Sequence, residues 1–284
     1  VPVEIASPTR ARRGAAPTWD AATATLLWVD TPGCRVHRYD PASGRDGTVE
    51  LPLAVGAARP RTAGGLACNL DGGVALVDPG GTRRWLAYWS RDGIRCADAA
   101  VDPAGRMWAG SGVGPGGWLT VVDPDGAARV AVPDVVSAAG ISWSPDGTRM
   151  YLVDGPNGRL DAFDYDAAAG AVSKRRPVAR FAGAGGLPAS ACVDADGCLW
   201  VSLDGAGAVR RYTPDGRLDR CIEVPTPQVT GCAFGGDRLT DLYLTTAPAP
   251  DAAAASAGAA DPLAGALLVI PDAGAGLPTT AFAG

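Results

Sequence analysis

The chain has 284 residues, 47% of them hydrophobic and 19% charged, which is enough apolar material for a sizeable core and too little charge for a disordered chain. Its 39 glycines and 24 prolines exclude a bundle of long helices, and no window approaches the roughly 20 unbroken apolar residues of a membrane span. Acids outnumber bases 30 to 25 and no basic stripe is visible, which argues against a nucleic-acid partner.

The N-terminus lacks the charged-then-apolar pattern of a secretory signal. The seven cysteines (34, 68, 96, 192, 198, 221 and 232) fit no zinc spacing and stand mostly beside apolar residues. Free thiols in a cytoplasmic protein are the expectation. Cys192 and Cys198 flank a tight turn and are placed to face each other across a hairpin.

In chain order, Val3-Glu4-Ile5 reads as a short strand, and one phrase then begins to recur: an apolar residue, an Asp or Ser, a turn, an apolar residue and an aromatic. It runs as Trp19-Asp20 … Leu27-Trp28, then Val101-Asp102-Pro103-Ala104-Gly105-Arg106-Met107-Trp108. It returns as Trp143-Ser144-Pro145-Asp146-Gly147 … Met150-Tyr151 and Val193-Asp194-Ala195-Asp196-Gly197-Cys198-Leu199-Trp200, and more loosely as Ala233-Phe234-Gly235-Gly236 … Leu242-Tyr243. The aromatics fall at 28, 108, 151, 200 and 243, so the first gap of 80 is about two of the later gaps. The missing copy is expected at Gly65-Leu66-Ala67 … Gly73-Val74-Ala75-Leu76, giving six units of about 47 residues.

Each unit adds a second hairpin, as in Val36-His37-Arg38-Tyr39-Asp40-Pro41, in 160–165 and in 209–216, where apolar and polar residues alternate between turns. Four short antiparallel strands per unit, repeated, is the arithmetic of a β-propeller. The prediction is an all-β, six-bladed propeller forming one domain over 1–284. Residues 266–270 would pair with Val3-Glu4-Ile5 to close the ring. The Ala/Pro-rich stretch 247–261 reads as a surface loop within it.

The catalytic inventory is thin. His37 is the only histidine and is expected on the surface of an outer hairpin; with no G-x-S-x-G elbow, a Ser-His-Asp set has no nucleophile. Gly110-Ser111-Gly112-Val113-Gly114-Pro115-Gly116-Gly117 lacks a P-loop lysine and is expected as a flexible loop at the propeller mouth. Chemistry in a propeller belongs at one end of the channel, where oxygen ligands from several blades can surround a hard cation.

Over nearly its full length the chain resembles the gluconolactonase–regucalcin (senescence marker protein) family. The resemblance rests on Pro17-Thr18-Trp19-Asp20, Leu27-Trp28-Val29-Asp30, Val101-Asp102-Pro103-Ala104-Gly105-Arg106-Met107-Trp108-Ala109-Gly110 and Gly140-Ile141-Ser142-Trp143-Ser144-Pro145-Asp146-Gly147. It continues through Met150-Tyr151-Leu152-Val153-Asp154, Val193-Asp194-Ala195-Asp196-Gly197-Cys198-Leu199-Trp200-Val201 and Gln228-Val229-Thr230-Gly231-Cys232-Ala233-Phe234-Gly235-Gly236. No single phrase is specific, but all of them in this order are. The resemblance implies a six-bladed propeller that hydrolyses sugar lactones with one divalent cation such as Ca, Zn or Mn. It implies that a Glu, two Asn and an Asp hold the cation, the Asp also accepting a proton.

At those four positions the chain departs from the family. The family's Gly-Glu-x-Pro is Gly14-Ala15-Ala16-Pro17, and its Asn-Asp-Gly is Ala97-Asp98-Ala99. Its Ser-Asn-Gly is Ala138-Ala139-Gly140, and its Pro-Asp-Gly is Pro188-Ala189-Ser190. Ala15, Ala97, Ala139 and Ala189 offer no ligand oxygen and no base, so tight cation binding and metal-dependent lactone hydrolysis are expected to be lost or strongly impaired. The resemblance places a substrate-contacting arginine at Arg95, with Asp98 close by; the plain alternative is an Arg95–Asp98 surface pair. Asp154 and Asp204 end inner-strand patterns and are expected near the mouth, where with Asp98 they offer a displaced acidic site. Two readings stay open: a lactone hydrolase working through those relocated carboxylates, and a non-catalytic binder of a protein or of a small polar molecule such as a sugar lactone or sugar acid. A monomer is expected.

Overall fold

The computed structural model describes residues 2–89, 91, 93–112, 116–183, 185–250 and 261–284. The N-terminal strand β1 (Glu4–Ser7) precedes blade 1, made of β2 (Gly14–Asp20), β3 (Thr25–Asp30), β4 (Arg35–Asp40) and β5 (Arg45–Glu50). Blade 2 is β6 (Val55–Pro60), β7 (Leu66–Leu70), β8 (Gly73–Val77) and β9 (Arg83–Tyr88); blade 3 is β10 (Arg95–Val101), β11 (Met107–Gly112), β12 (Trp118–Val122) and β13 (Ala128–Pro133). Blade 4 is β14 (Ala138–Trp143), β15 (Arg149–Asp154), β16 (Arg159–Asp166) and β17 (Ala171–Arg180); blade 5 is β18 (Leu187–Val193), β19 (Leu199–Asp204), β20 (Ala208–Tyr212) and β21 (Leu218–Glu223). Blade 6 is β22 (Val229–Gly235), β23 (Asp241–Thr246) and β24 (Leu267–Ile270), completed by β1.

The first strand of each blade packs on the first strand of the next, and β22 returns to β2, so the six antiparallel sheets form a closed ring. This is the six-bladed β-propeller. The clasp is the expected one, with Glu4 opposite Val269 and Ile5 opposite Leu268. No helix among the described residues is long and apolar enough to cross a membrane. Of the stretch 247–261, residues 251–260 lie outside the described residues, as do 113–115 of the glycine-rich segment. That segment starts inside β11, where Ser111 Oγ accepts the Trp118 backbone N–H at 2.7 Å.

The recurring phrase has a structural cause. In blade 3, Asp102 is fully buried and accepts the indole N–H of Trp108 (3.0 Å), the Tyr165 hydroxyl (2.7 Å) and a guanidinium N–H of Arg106 (3.0 Å) on one oxygen. Its other oxygen accepts the backbone N–H groups of Ala104 and Arg106, both at 2.9 Å, which fixes the turn. Asp194 repeats the device in blade 5 with Trp200 (2.8 Å), Arg211 (2.7 Å) and the N–H of Cys198 (2.9 Å). Gly105 and Gly197 sit at φ of 83° and 79° to complete these turns, a region L-side chains avoid. The aromatics so anchored pack between blades: Trp200 meets Phe234 of the next blade edge-to-face at 5.7 Å, and each such buried ring contributes about 2–3 kcal/mol.

Two expectations are corrected. The unit without an aromatic is displaced by one strand: Leu66–Leu70 is the second strand of blade 2, and Gly73–Val77 is the third. The first strand is Val55–Pro60, whose small residues carry no copy of the phrase. His37 is buried (3% exposed) rather than on the surface, because the β3–β4 register sets it opposite Trp28, with the rings stacked at 4.2 Å. Burial outweighs the pull of Asp46 and holds the imidazole pKa below its ordinary value.

Replacing Asp102 with Ala strands three side-chain donors in an apolar setting. A destabilisation of about 3–5 kcal/mol is expected, read as a fall in the urea midpoint at unchanged slope.

Candidate functional site

Each inner strand carries one irregularity of register, between Ala15 and Thr18 in β2, Cys96 and Ala99 in β10, Ala139 and Ser142 in β14, and Pro188 and Ser190 in β18, with counterparts in β6 and β22. A bulge bends its strand and re-aims a side chain. These bulges turn Ala15, Ala97, Ala139 and Ala189 towards the channel. All four are half-buried and line a single cavity of about 590 Å³ at the mouth. Close approach of the strands demands Gly56, where a Cβ would come within 1.9 Å of the Ala97 carbonyl oxygen.

The carboxylates near this cavity are already engaged. Asp98 accepts from Arg59 Nη2 (2.9 Å) and the Ala99 N–H (2.8 Å) on one oxygen, and from the Gly140 N–H (2.9 Å) on the other. Burial raises the pKa of this carboxyl against the opposing pull of Arg59 and the two amides. Arg59 is itself buried and also donates to the carbonyls of Ala16 and Ala58, both at 3.0 Å. The buried side chain of Asn69 donates to the carbonyls of Ala97 (2.9 Å) and Gly110 (2.7 Å), taking up the backbone oxygen of Ala97 at the cavity.

Asp204 lines the cavity as expected, with one oxygen held by Arg13 at 2.8 Å in a bridge from blade 1 to blade 5. Its other oxygen is buried without a hydrogen-bond partner among the described residues. Asp154 does not reach the cavity. It is buried and caps its own turn, accepting the Ser137 N–H (3.3 Å) and the Asn157 side-chain amide (2.8 Å). Nor does the Arg95–Asp98 pair form: Arg95 is mostly exposed and pairs with Asp71 at 2.9 Å, while Asp98 turns inward to Arg59.

A hard cation needs several free oxygen ligands, at least some of them charged. Among the described residues no three His, Cys, Asp or Glu side chains cluster to hold a metal. The two acids at the cavity are each bound to an arginine, and the four positions at which the resemblance implies ligands present methyl groups. The donor set does not fit the family's cation.

Arg59, Asn69 and Arg13 were not singled out by the sequence. For Arg59 a signal existed, a lone cation in the otherwise small, apolar run Val55-Gly56-Ala57-Ala58-Arg59-Pro60.

The opposite end of the channel is roofed by the chain after β24. Ala275 accepts the Ala195 N–H of blade 5, Thr279 donates to the Trp19 carbonyl of blade 1, Phe282 N–H to Pro60 of blade 2 and Ala283 N–H to Gly105 of blade 3. Beneath this tail lies a second cavity of about 360 Å³, and Ala16, Asp98 and Ser190 border both chambers.

Residues 13–248 match the family described as SMP-30/Gluconolactonase/LRE-like region. The chain is 36% identical to the 6-deoxy-6-sulfogluconolactonase of Pseudomonas putida over 242 residues, 82% of each chain. It is 30% identical to regucalcin of Gallus gallus over 266 residues, 87% of each. Among solved structures it resembles a calcium-binding protein, regucalcin, from Agrobacterium tumefaciens, with a TM-score of 0.91 at 28% identity over 99% of this chain and 97% of that one. With its ring, its channel and its phrases in the same order, the chain belongs to the SMP-30/gluconolactonase/regucalcin family.

Proposed function

We propose that this protein keeps the fold and ligand cavity of its family but has lost metal-dependent lactone hydrolysis, and that the cavity receives a small polar molecule such as a sugar lactone or sugar acid. The observation that carries this reading is the lining of one cavity by Ala15, Ala97, Ala139 and Ala189. In the family reaction a cation polarises the lactone carbonyl and lowers the pKa of the attacking water, and a base takes up the proton. Methyl groups supply neither. The remaining polar lining, Arg13, Ser137, Ser190, Asp204 and Thr230, suits hydrogen bonding to a polyol or carboxylate.

A second reading, hydrolysis by relocated carboxylates, has one observation in its favour. Asp204 keeps an unpartnered oxygen at the cavity. Asp98 has donors on both oxygens and Asp154 does not border the cavity, so neither adds to it.

Acid release from gluconolactone, followed with and without added calcium, zinc or manganese, is expected to stay at the buffer blank. Hydrolysis abolished by a chelator would overturn the proposal, whereas chelator-insensitive hydrolysis lost in Asp204→Asn would establish the second reading. Calorimetric titration with the same ions is expected to give no one-site isotherm near micromolar concentration.

The converse experiment is constructive. Ala15→Glu, Ala97→Asn, Ala139→Asn and Ala189→Asp, introduced together, are expected to create a cation site and chelator-sensitive hydrolysis about a thousandfold or more above the present chain. Any one of them alone is expected to change little, since a single oxygen does not hold a hard cation.

A further inference from the structure

The inner strands of blades 5 and 6 bring two of the seven free cysteines together. Cys192 lies on β18 and Cys232 on β22, 40 residues apart in sequence, and their sulfurs are 3.9 Å apart. The hairpin partner suggested by sequence, Cys198, is not the neighbour: it sits at the far side of its turn, its N–H bound to Asp194. Cys232 is buried and donates its S–H to the Trp200 carbonyl at 3.3 Å, leaving its sulfur to accept from Cys192. Both thiols border the 360 Å³ chamber beneath the C-terminal tail, which is large enough to admit a small oxidant. The cavity at the mouth is bordered by Ser190 and Thr230, each two residues from one of these cysteines.

We propose that Cys192 and Cys232 are a modification site, closing into an interblade disulfide when a small peroxide enters the lower chamber. The Cys192 thiolate attacks one peroxide oxygen and becomes a sulfenic acid, the other oxygen leaving as hydroxide that takes up a proton to form water. The Cys232 sulfur then attacks the sulfenyl sulfur and expels a second water, so that two thiols and one hydrogen peroxide give one disulfide and two waters. Bond formation draws the sulfurs from 3.9 Å to about 2.05 Å, a movement that side-chain rotation and a slight approach of the two strands supply. Both chamber walls are then tied across the blade 5–blade 6 seam. The neighbouring Cys232 and burial push the Cys192 thiol well above its ordinary pKa, so the reaction is slow at neutral pH and accelerates as pH rises.

The full chain is treated with hydrogen peroxide at pH 7 and pH 9, quenched, denatured and assayed for thiols, then digested without reduction and mapped. The expected result is a fall from seven thiols to five, a monomer two hydrogens lighter, a Cys192–Cys232 linked peptide, and faster formation at pH 9. The bond closes a loop across a blade seam and is expected to raise the melting temperature by about 5 °C, an effect reversed by dithiothreitol. Cys192→Ser is expected to form no intramolecular bond, and Cys198→Ser still to lose two thiols. Retention of all seven thiols, a bond mapped to another pair, or oxidation of Cys192 that stops at the sulfinic acid would each overturn the proposal.

Discussion

Six inner strands converging on one axis create a space that must be either filled or wet, and in this chain the Arg59–Asp98 pair fills it. The strands that surround it are built of small residues, which lets their backbones approach but leaves no large side chain to plug the middle. The guanidinium spans from the carbonyls of Ala16 and Ala58 to the carboxylate of Asp98. That carboxylate in turn receives N–H groups from blades 3 and 4. The pair is buried at both ends, so its net contribution to stability is small while removal of either partner alone is costly. Its position decides the rest, dividing the channel into two chambers and committing Asp98, the acid next to Ala97, to a structural bond.

This commitment separates Asp98 from the role its place in the sequence suggested. An acid with a free lone pair at the mouth would be a candidate ligand or base. An acid with three donors on its two oxygens, one of them a guanidinium, is a poor one. Asp154 is set aside on different grounds, being buried away from the cavity with one amide donor on each oxygen, which leaves Asp204 as the acid whose chemistry is not exhausted by its neighbours. Arg13 reaches Asp204 from a blade two places away around the ring, so the mouth is crossed by a partly exposed ion pair of low intrinsic strength, which the ligand proposed above would exchange for its own contacts.

Much of the fold was legible because its signals are local. Asp102 with Trp108 and Asp194 with Trp200 are six residues apart, inside one hairpin, and a spacing of that kind survives in the sequence as a phrase. Blade 2 was misread where the phrase is absent: Ala67 stands at the register position where blades 3, 4 and 5 carry Trp108, Tyr151 and Trp200, and Gly73 was taken for the start of a second strand. His37 was misplaced because alternation tells which face a residue occupies, not whether that face is covered, and its cover is a tryptophan on the adjacent strand. At the site, the four alanines were placed by flanking motifs and do meet at one cavity. The pairings of Arg95 with Asp71, Arg59 with Asp98 and Arg13 with Asp204 join residues 24, 39 and 191 positions apart. No local pattern encodes such separations, and only the closed ring brings them together.

Stability and catalysis draw on different parts of this architecture. The stabilising groups are the buried carboxylate–indole turns at the hairpins, the aromatic rings between blades and the terminal clasp, and none of them borders the mouth chamber. Ala15, Ala97, Ala139 and Ala189 lie at bulges whose geometry is set by backbone register and by small residues such as Gly56. A carboxylate at Ala15 or Ala189, where the resemblance implies Glu and Asp, would add charge that a cation would have to compensate; without a cation, a methyl group avoids crowding a further carboxylate near Asp204. The fold therefore does not depend on a polar side chain at any of these four positions. A TM-score of 0.91 to a calcium-binding relative is thus fully compatible with a mouth lined by four alanines, and likeness of backbone carries no weight for the chemistry at that mouth.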